Sequence, residues 1–335
     1  MAALFQEGYR YRESDPERQL SYYTRCRDEA RRLHEPWWEL FFEHWRLSAL
    51  TSDIGDFARA LPLAMELLVR FTAPDAAAHP DAPMVQTDVL FSHAQVDPIG
   101  FADLLDKGFA ALERQIGAGS LSTRLVFDYR WIQYLADVER LEEAHQRLQE
   151  HMARLDGCDP GTLAWHRCWA LFLACHVYDG MNQLDDVAGY AREMAELSEK
   201  GEHLMRTRAS GWLWTAVCQR ATGLANDAAR SFRRGMRYLE TLSVRDEICA
   251  DSVARYYEVG NQWNAALGTR ERELAAVASK GTLHRHCVLM IERCKLLSRA
   301  GTLTDADLLR ARQCADRMRK PDWYLQKLAA IQRHN

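Results

Sequence analysis

A chain of 335 residues is longer than one compact core requires and fits either two domains or one elongated stack. Its 47% hydrophobic and 27% charged content excludes an extensively disordered chain. A net charge of −4 gives no broad basic surface for phosphate backbones, so nucleic acid is not an expected partner.

The predicted elements follow a repeated start, in which a turn leads into a helix. In chain order these starts are Pro16-Glu17-Arg18-Gln19-Leu20, Asp56-Phe57-Ala58-Arg59-Ala60, Gly100-Phe101-Ala102-Asp103-Leu104 and Arg140-Leu141-Glu142-Glu143-Ala144. They continue with Gln183-Leu184-Asp185-Asp186-Val187, Leu224-Ala225-Asn226-Asp227-Ala228, Gln262-Trp263-Asn264-Ala265-Ala266 and Thr304-Asp305-Ala306-Asp307-Leu308. The small or aliphatic residue closing each start recurs every 38 to 44 residues. Such a period means stacked units, none able to bury its apolar face without its neighbours.

Each unit reads as two antiparallel helices. In the fifth, an apolar-aromatic run from Thr162 to Tyr178 stops at Asp179-Gly180, and a second helix covers about Leu184 to Glu199 with helical rather than strand spacing. Gly55, Gly223, Gly260-Asn261 and Gly301 mark the same stop elsewhere, where a left-handed residue ends a helix. Pro62 falls inside a second helix, which must kink or begin late. The expected units are 1–34, 35–71, 84–118, 120–156, 160–200, 202–242, 245–280 and 282–319, with a capping helix over 321–333. The interruption at 72–83 holds three of the nine prolines and predicts a mobile loop, either a tolerated insertion or a lid or docking loop.

The N-terminus acquires charge too early for a secretory signal, and no apolar run is long enough to span a bilayer. Nine cysteines sit mostly in apolar helical runs, which suits reduced thiols. The expectation is a cytoplasmic protein without membrane contacts. Two His/Cys groups, His166, Cys168, Cys175 and His176, then His284, His286, Cys287 and Cys294, lack the paired cysteines of a structural zinc site and read as buried thiols. No phosphate loop, zinc-protease helix, nucleophile elbow or kinase set occurs, so neither catalysis nor a cofactor is expected.

The units resemble tetratricopeptide repeats, best in Gly55-Asp56-Phe57-Ala58-Arg59-Ala60, Arg140-Leu141-Glu142-Glu143-Ala144 and Gly223-Leu224-Ala225-Asn226-Asp227-Ala228. They are longer than that family's usual unit of about 34 residues. HEAT-type hairpins fit the length but not the small residues at the turns. The resemblance implies an all-α, right-handed solenoid of about eight hairpins whose first helices line a concave, peptide-binding face. Longer units of this kind occur in bacterial peptide-sensing regulators and in scaffold proteins. Neither a helix-turn-helix module nor the lysine and asparagine clamp of chaperone-tail binders is present at the matching positions.

Eight of the ten tryptophans lie on first helices, where large aromatics fill the space between stacked units. Aligning first helices on their turns places Tyr129, Gln133, Trp169, His176, Arg220, Asp251, Arg255 and Lys295 on the inner face. Aromatic and arginine side chains are the usual anchors of binding hot spots. The sequence thus predicts a noncatalytic scaffold or adaptor for a protein or peptide partner, of the kind that serves as a component of a larger complex. The alternative is a receptor for a signalling peptide or small ligand, for which a closed pocket lined by arginine and tryptophan would speak.

Overall fold

The computed structural model describes residues 1–117, 120–156, 160–201, 204–242 and 249–333. Four of the described helices begin at a side-chain cap that the sequence supplies. Asp15 and Asp56 accept the amides of Arg18 and Arg59 at 3.1 Å, Ser120 accepts that of Thr123 at 3.2 Å, and Thr304 and Asp307 form a reciprocal capping box. The described residues form 17 α-helices, no strand, and a helical content of 79%. They are α1 (Ala2–Tyr9), α2 (Pro16–Arg32), α3 (Pro36–Ser48), α4 (Phe57–Phe71), α5 (Ala82–Val96), α6 (Ala102–Ile116), α7 (Leu121–Asp137), α8 (Leu141–Asp156) and α9 (Pro160–Gly180). The series continues with α10 (Leu184–Ser198), α11 (Met205–Ala221), α12 (Ala225–Leu239), α13 (Ala250–Val259), α14 (Trp263–Val277), α15 (Leu283–Arg299), α16 (Asp305–Ala315) and α17 (Asp322–Gln332). Each packs on its sequence neighbours, as in an α-solenoid. The expected unit limits at 118, 202 and 245 lie outside the described residues. None of the described helices is long and apolar enough to cross a membrane.

The turns inside the units share one device. Glu139, Asn182, Gly223, Asn261 and Gly301 all have positive φ, between 54° and 81°, and recur every 38 to 43 residues. Behind each, the next amide reaches five residues back: Arg140 to Leu135, Gln183 to Tyr178, Leu224 to Gln219, Gln262 to Tyr257 and Thr302 to Leu297, at 2.8–2.9 Å. This bond satisfies a carbonyl that the ending helix would leave open. One expected left-handed position is displaced: α9 ends at Gly180, as expected, but the positive φ falls on Asn182. At the expected stop Gly260-Asn261 it is the asparagine that is left-handed, while Gly260 keeps a φ of −91°. Asparagine tolerates that conformation, so glycine is not required there. Pro62 neither delays nor divides α4, which begins at Phe57 and passes through it.

The small-residue column is buried as the period requires. Ala60, Ala144, Ala228 and Ala266 are wholly inaccessible, and Val187 with them. In the third unit the register slips by one residue: Leu105 is buried and Leu104 is half exposed. The capping helix appears as α17, packed on α15 and α16 through Tyr324, Leu328 and Ile331.

The chain also returns on itself. The amides of Phe57 and Ala58 donate to the carbonyl of Lys280 at 2.7 and 3.0 Å, across more than two hundred residues. The amide of Arg319 donates to Asp97 Oδ2 at 2.9 Å, Lys327 pairs with Glu139, and α5 touches α15. Gly281, at φ +73°, lies so near Ala58 that an added Cβ would stand 2.6 Å from its amide nitrogen.

Two substitutions test the turns. Gly223→Ala, in open space but at φ +81°, should cost about 1–2 kcal/mol, whereas Gly189→Ala, with open space around it inside α10, should stabilise by up to about 1 kcal/mol. Opposite shifts in melting temperature are expected; shifts of the same sign refute the left-handed requirement. Ala144→Leu and Ala228→Leu should each destabilise by about 1–3 kcal/mol through overpacking, measured by chemical denaturation.

Candidate functional site

α3 does not end normally. It continues as a π-helical segment over Ala49–Ile54 and stops at Gly55, whose φ is +70°. The wide turn brings the amide of Asp56 back to the carbonyl of Leu50, and the carbonyls of Ser52, Asp53 and Ile54 accept from elsewhere in the chain. Arg206, at the start of α11, donates to Ser52 O at 3.1 Å and to Asp53 O at 2.8 Å. Lys280 Nζ donates to Ile54 O at 2.8 Å. Cations belong at this end of a helix, where the macrodipole is negative. In return, Glu13 accepts the first amides of α11, Met205 at 2.5 Å and Arg206 at 3.2 Å, and so caps a helix that has no cap of its own.

Behind this junction lies a cavity of about 500 Å³ on the inner side of α3, α5, α7 and α9. Trp45, Tyr129, Trp165 and Trp169 supply its aromatic walls, with Tyr129 and Trp169 edge to face at 5.7 Å. The exposed Pro80, Ser120 and Ser122 form the mouth. Pro80 and Asp81 come from the expected loop, which is tied down: His79 is buried between Trp37 and Phe71, and His44 Nδ1 lies 3.0 Å from Asp81. The end of that loop is therefore part of the cavity wall.

The charges of the cavity are unevenly paired. Arg12 Nε donates to Asp53 at 3.1 Å and its guanidinium lies 4.6 Å from the ring centre of Trp165. Arg130 stacks on Phe91 at 3.7 Å and donates to Ser52 Oγ at 2.5 Å, but its Nε has no hydrogen-bond partner. Asp88 has no hydrogen bond, and the imidazole Nε2 of His44 lies 3.9 Å from its Oδ2. Burial raises the Asp88 carboxyl, against the pull of Arg130 and His44, and burial lowers Arg130. Burial also raises Tyr129 to about 12 and, with His151 and Arg12 nearby, lowers His166 to about 4. The interior can thus hold an amphipathic molecule with complementary polar groups.

The residues picked from the sequence divide between places. Tyr129 and Trp169 line the cavity. His176 and Asp251 belong to a second polar cluster deeper along the inner face. There Asp251 accepts Arg270 Nη1 at 2.6 Å and Arg285 Nη2 at 2.7 Å. Burial alone would raise its carboxyl, but the two guanidiniums hold it well below the usual range. His176 packs on Phe172 and Trp214 and is 3.9 Å from Asp251. Arg255 donates to Asp179 at 3.0 Å, so it does not share the cavity with Trp169. Arg220 lies over Tyr256 at 4.4 Å, Gln133 is half-buried with Oε1 unpaired, and Lys295 is exposed.

The tryptophans also divide. Trp131 and Trp214 fill the core, three line the cavity, and Trp37 and Trp38 are 48% and 51% exposed. Sequence reasoning passed over Arg12, Asp53, Asp88, Arg130 and Arg206. A signal was available for Asp88, a lone charge in the run Val85-Gln86-Thr87-Asp88-Val89-Leu90-Phe91. The cysteines of the His/Cys groups are core residues: Cys168, Cys175, Cys287 and Cys294 are buried, and so is His284, whose Nδ1 lies 2.7 Å from Tyr324 OH; His166 lines the cavity, and His176 and His286 are half-buried. Compared with known proteins, the chain matches no family model and no curated sequence.

The neutral His166 gives the cavity a pH dependence. A histidine whose folded pKa is depressed binds fewer protons folded than unfolded, so its contribution is complete above about 6.5 and is lost as pH falls toward about 4. His166→Gln should flatten stability over that window by up to about 3 kcal/mol, read from denaturation midpoints at pH 7 and pH 4.5. An unchanged slope would refute it.

Proposed function

We propose that this protein is a noncatalytic receptor, a tetratricopeptide-like, right-handed superhelix of about eight hairpins that encloses a small ligand and passes its occupancy to a protein partner. One observation carries the reading. Arg130 of α7 and Arg206 of α11 converge on the π-helical segment, and beside them lies an aromatic, charge-lined cavity of about 500 Å³. Volumes of this size suit small molecules or the end of a peptide, not an extended chain. The repeated period and the left-handed turns support the superhelix; the long-range bonds give ligand binding a way to alter the whole ring.

A scaffold binding a protein partner is the second reading, and the two exposed tryptophans on α3 favour it. The test separates the two. The full chain is incubated with the low-mass fraction of a cell extract and followed by native mass spectrometry and thermal shift. Ligand binding and stabilisation are expected, abolished by Ser122→Trp at the mouth and weakened by 2 kcal/mol or more in Trp169→Ala, with helicity unchanged. If nothing of low mass binds, while Trp37→Ala/Trp38→Ala abolishes capture of a protein partner, the scaffold reading replaces this one.

A further inference from the structure

The cavity contains two charged side chains whose bonding is incomplete, and they are of opposite sign. Asp88, on α5, is only 3% exposed, lines the cavity and accepts no hydrogen bond. Arg130, on the adjacent α7, is 6% exposed, lines the same space and leaves Nε unpaired. No ion pair joins the two, although they are close enough for each to act on the other's charge. Buried charges that lack partners cost several kcal/mol each in the absence of a compensating group.

The other cations and acids around the space are already engaged. Arg12 pairs with Asp53, Arg206 binds backbone carbonyls, Glu13 caps α11 and Asp81 faces His44. What is left for a ligand is one carboxylate, one guanidinium, the ring nitrogens His44 Nε2, His151 Nδ1 and Trp169 Nε1, which lack a hydrogen bond, and a set of aromatic faces. A purely anionic ligand would meet Arg130 but bring a like charge to Asp88. A purely cationic one would do the reverse. A molecule carrying both charges, with an apolar body, answers the two incompletely bonded charges and the aromatic faces together.

Resting on the receptor reading of the cavity, we propose that its ligand is a small α-amino-acid zwitterion with an apolar or aromatic side chain. Its ammonium pairs with Asp88, its carboxylate with Arg130, and its side chain packs among Trp45, Trp165 and Trp169. Ser120 and Ser122, exposed at the rim of the cavity, make its entrance polar. The protein would then report the supply of such an amino acid.

The test is titration calorimetry of the full chain with L-leucine, L-methionine and L-phenylalanine. Three analogues accompany them: 3-phenylpropanoate, which lacks the ammonium, 2-phenylethylamine, which lacks the carboxylate, and neutral phenyl β-glucoside. At least one amino acid should bind, and deleting either charge from phenylalanine should weaken binding tenfold or more, the worth of one charge-assisted contact. Asp88→Asn should make phenylalanine no better than 3-phenylpropanoate, and Arg130→Gln should make it no better than 2-phenylethylamine. Both variants are first checked for unchanged helicity; should either misfold, the analogue series on the wild-type chain decides alone. Binding of the glucoside, blocked by Ser122→Trp, without binding of any amino acid would overturn the ligand class and leave the cavity reading standing. No heat with any probe, together with no low-mass component of the extract bound, would overturn both.

Discussion

The carbonyls at the end of the π-helical segment find their partners in Arg206 and Lys280, drawn from parts of the chain more than 150 residues away. A helix end buried without acceptors' partners is costly, and a buried guanidinium without acceptors is costlier still. Each defect is the other's remedy. Because the wide turn presents Ser52, Asp53 and Ile54 together, one short segment can bind α11 and the turn before α15 at the same time. Ser52 adds a third element through Arg130. The position of almost every cavity residue follows from this junction.

That arrangement explains why the interior is polar yet mostly dry of open groove. A stack of hairpins curving without closure would show its first helices to solvent, and exposed aromatic columns there would serve extended partners. Here the arginines occupy the axis, some satisfied by backbone and some by acids. The second cluster, in which Asp251 and Glu273 share Arg270 and Arg285, closes the deeper part of the inner face in the same manner. Buried ionic groups of this density are weak contributors to stability but select one arrangement of helices over others, since any shift strands a charge. In the cavity that matching is left incomplete, at Asp88 and Arg130.

Much of the fold was legible in the sequence for a physical reason: the turn and the small residue behind it are local requirements repeated at fixed intervals. Ala60, Ala144 and Ala228 could be found because a close helix contact admits little else. The stop at Asn182 was missed by two residues because glycine and asparagine both tolerate the left-handed turn and glycine was taken as the stronger marker. Tyr129 and Trp169, picked by helical phase, line the cavity, while Lys295, picked in the same way, is exposed and lies elsewhere, since phase says nothing about which units meet across the interior. Arg206 and the π-helical segment were invisible. Their partners are remote in sequence, and Ala49-Leu50-Thr51-Ser52-Asp53-Ile54 has no local pattern that distinguishes a π turn from the end of an α-helix.

Open helical stacks fold as nearly one-dimensional objects: a unit can form or fray with only its neighbours taking notice. The bond between Lys280 and Ile54 changes that, because its ends are 226 residues apart. It forms only after the intervening helices have assumed the right cumulative curvature, which makes closure a late, topologically demanding step. Once formed, it removes the free ends from which such stacks ordinarily melt. Loss of the N-terminal helices strips Arg206 of its acceptors, and loss of the chain from Lys280 onward frees the Ile54 carbonyl, so the chain should behave as a single cooperative body, with unfolding all-or-none rather than progressive.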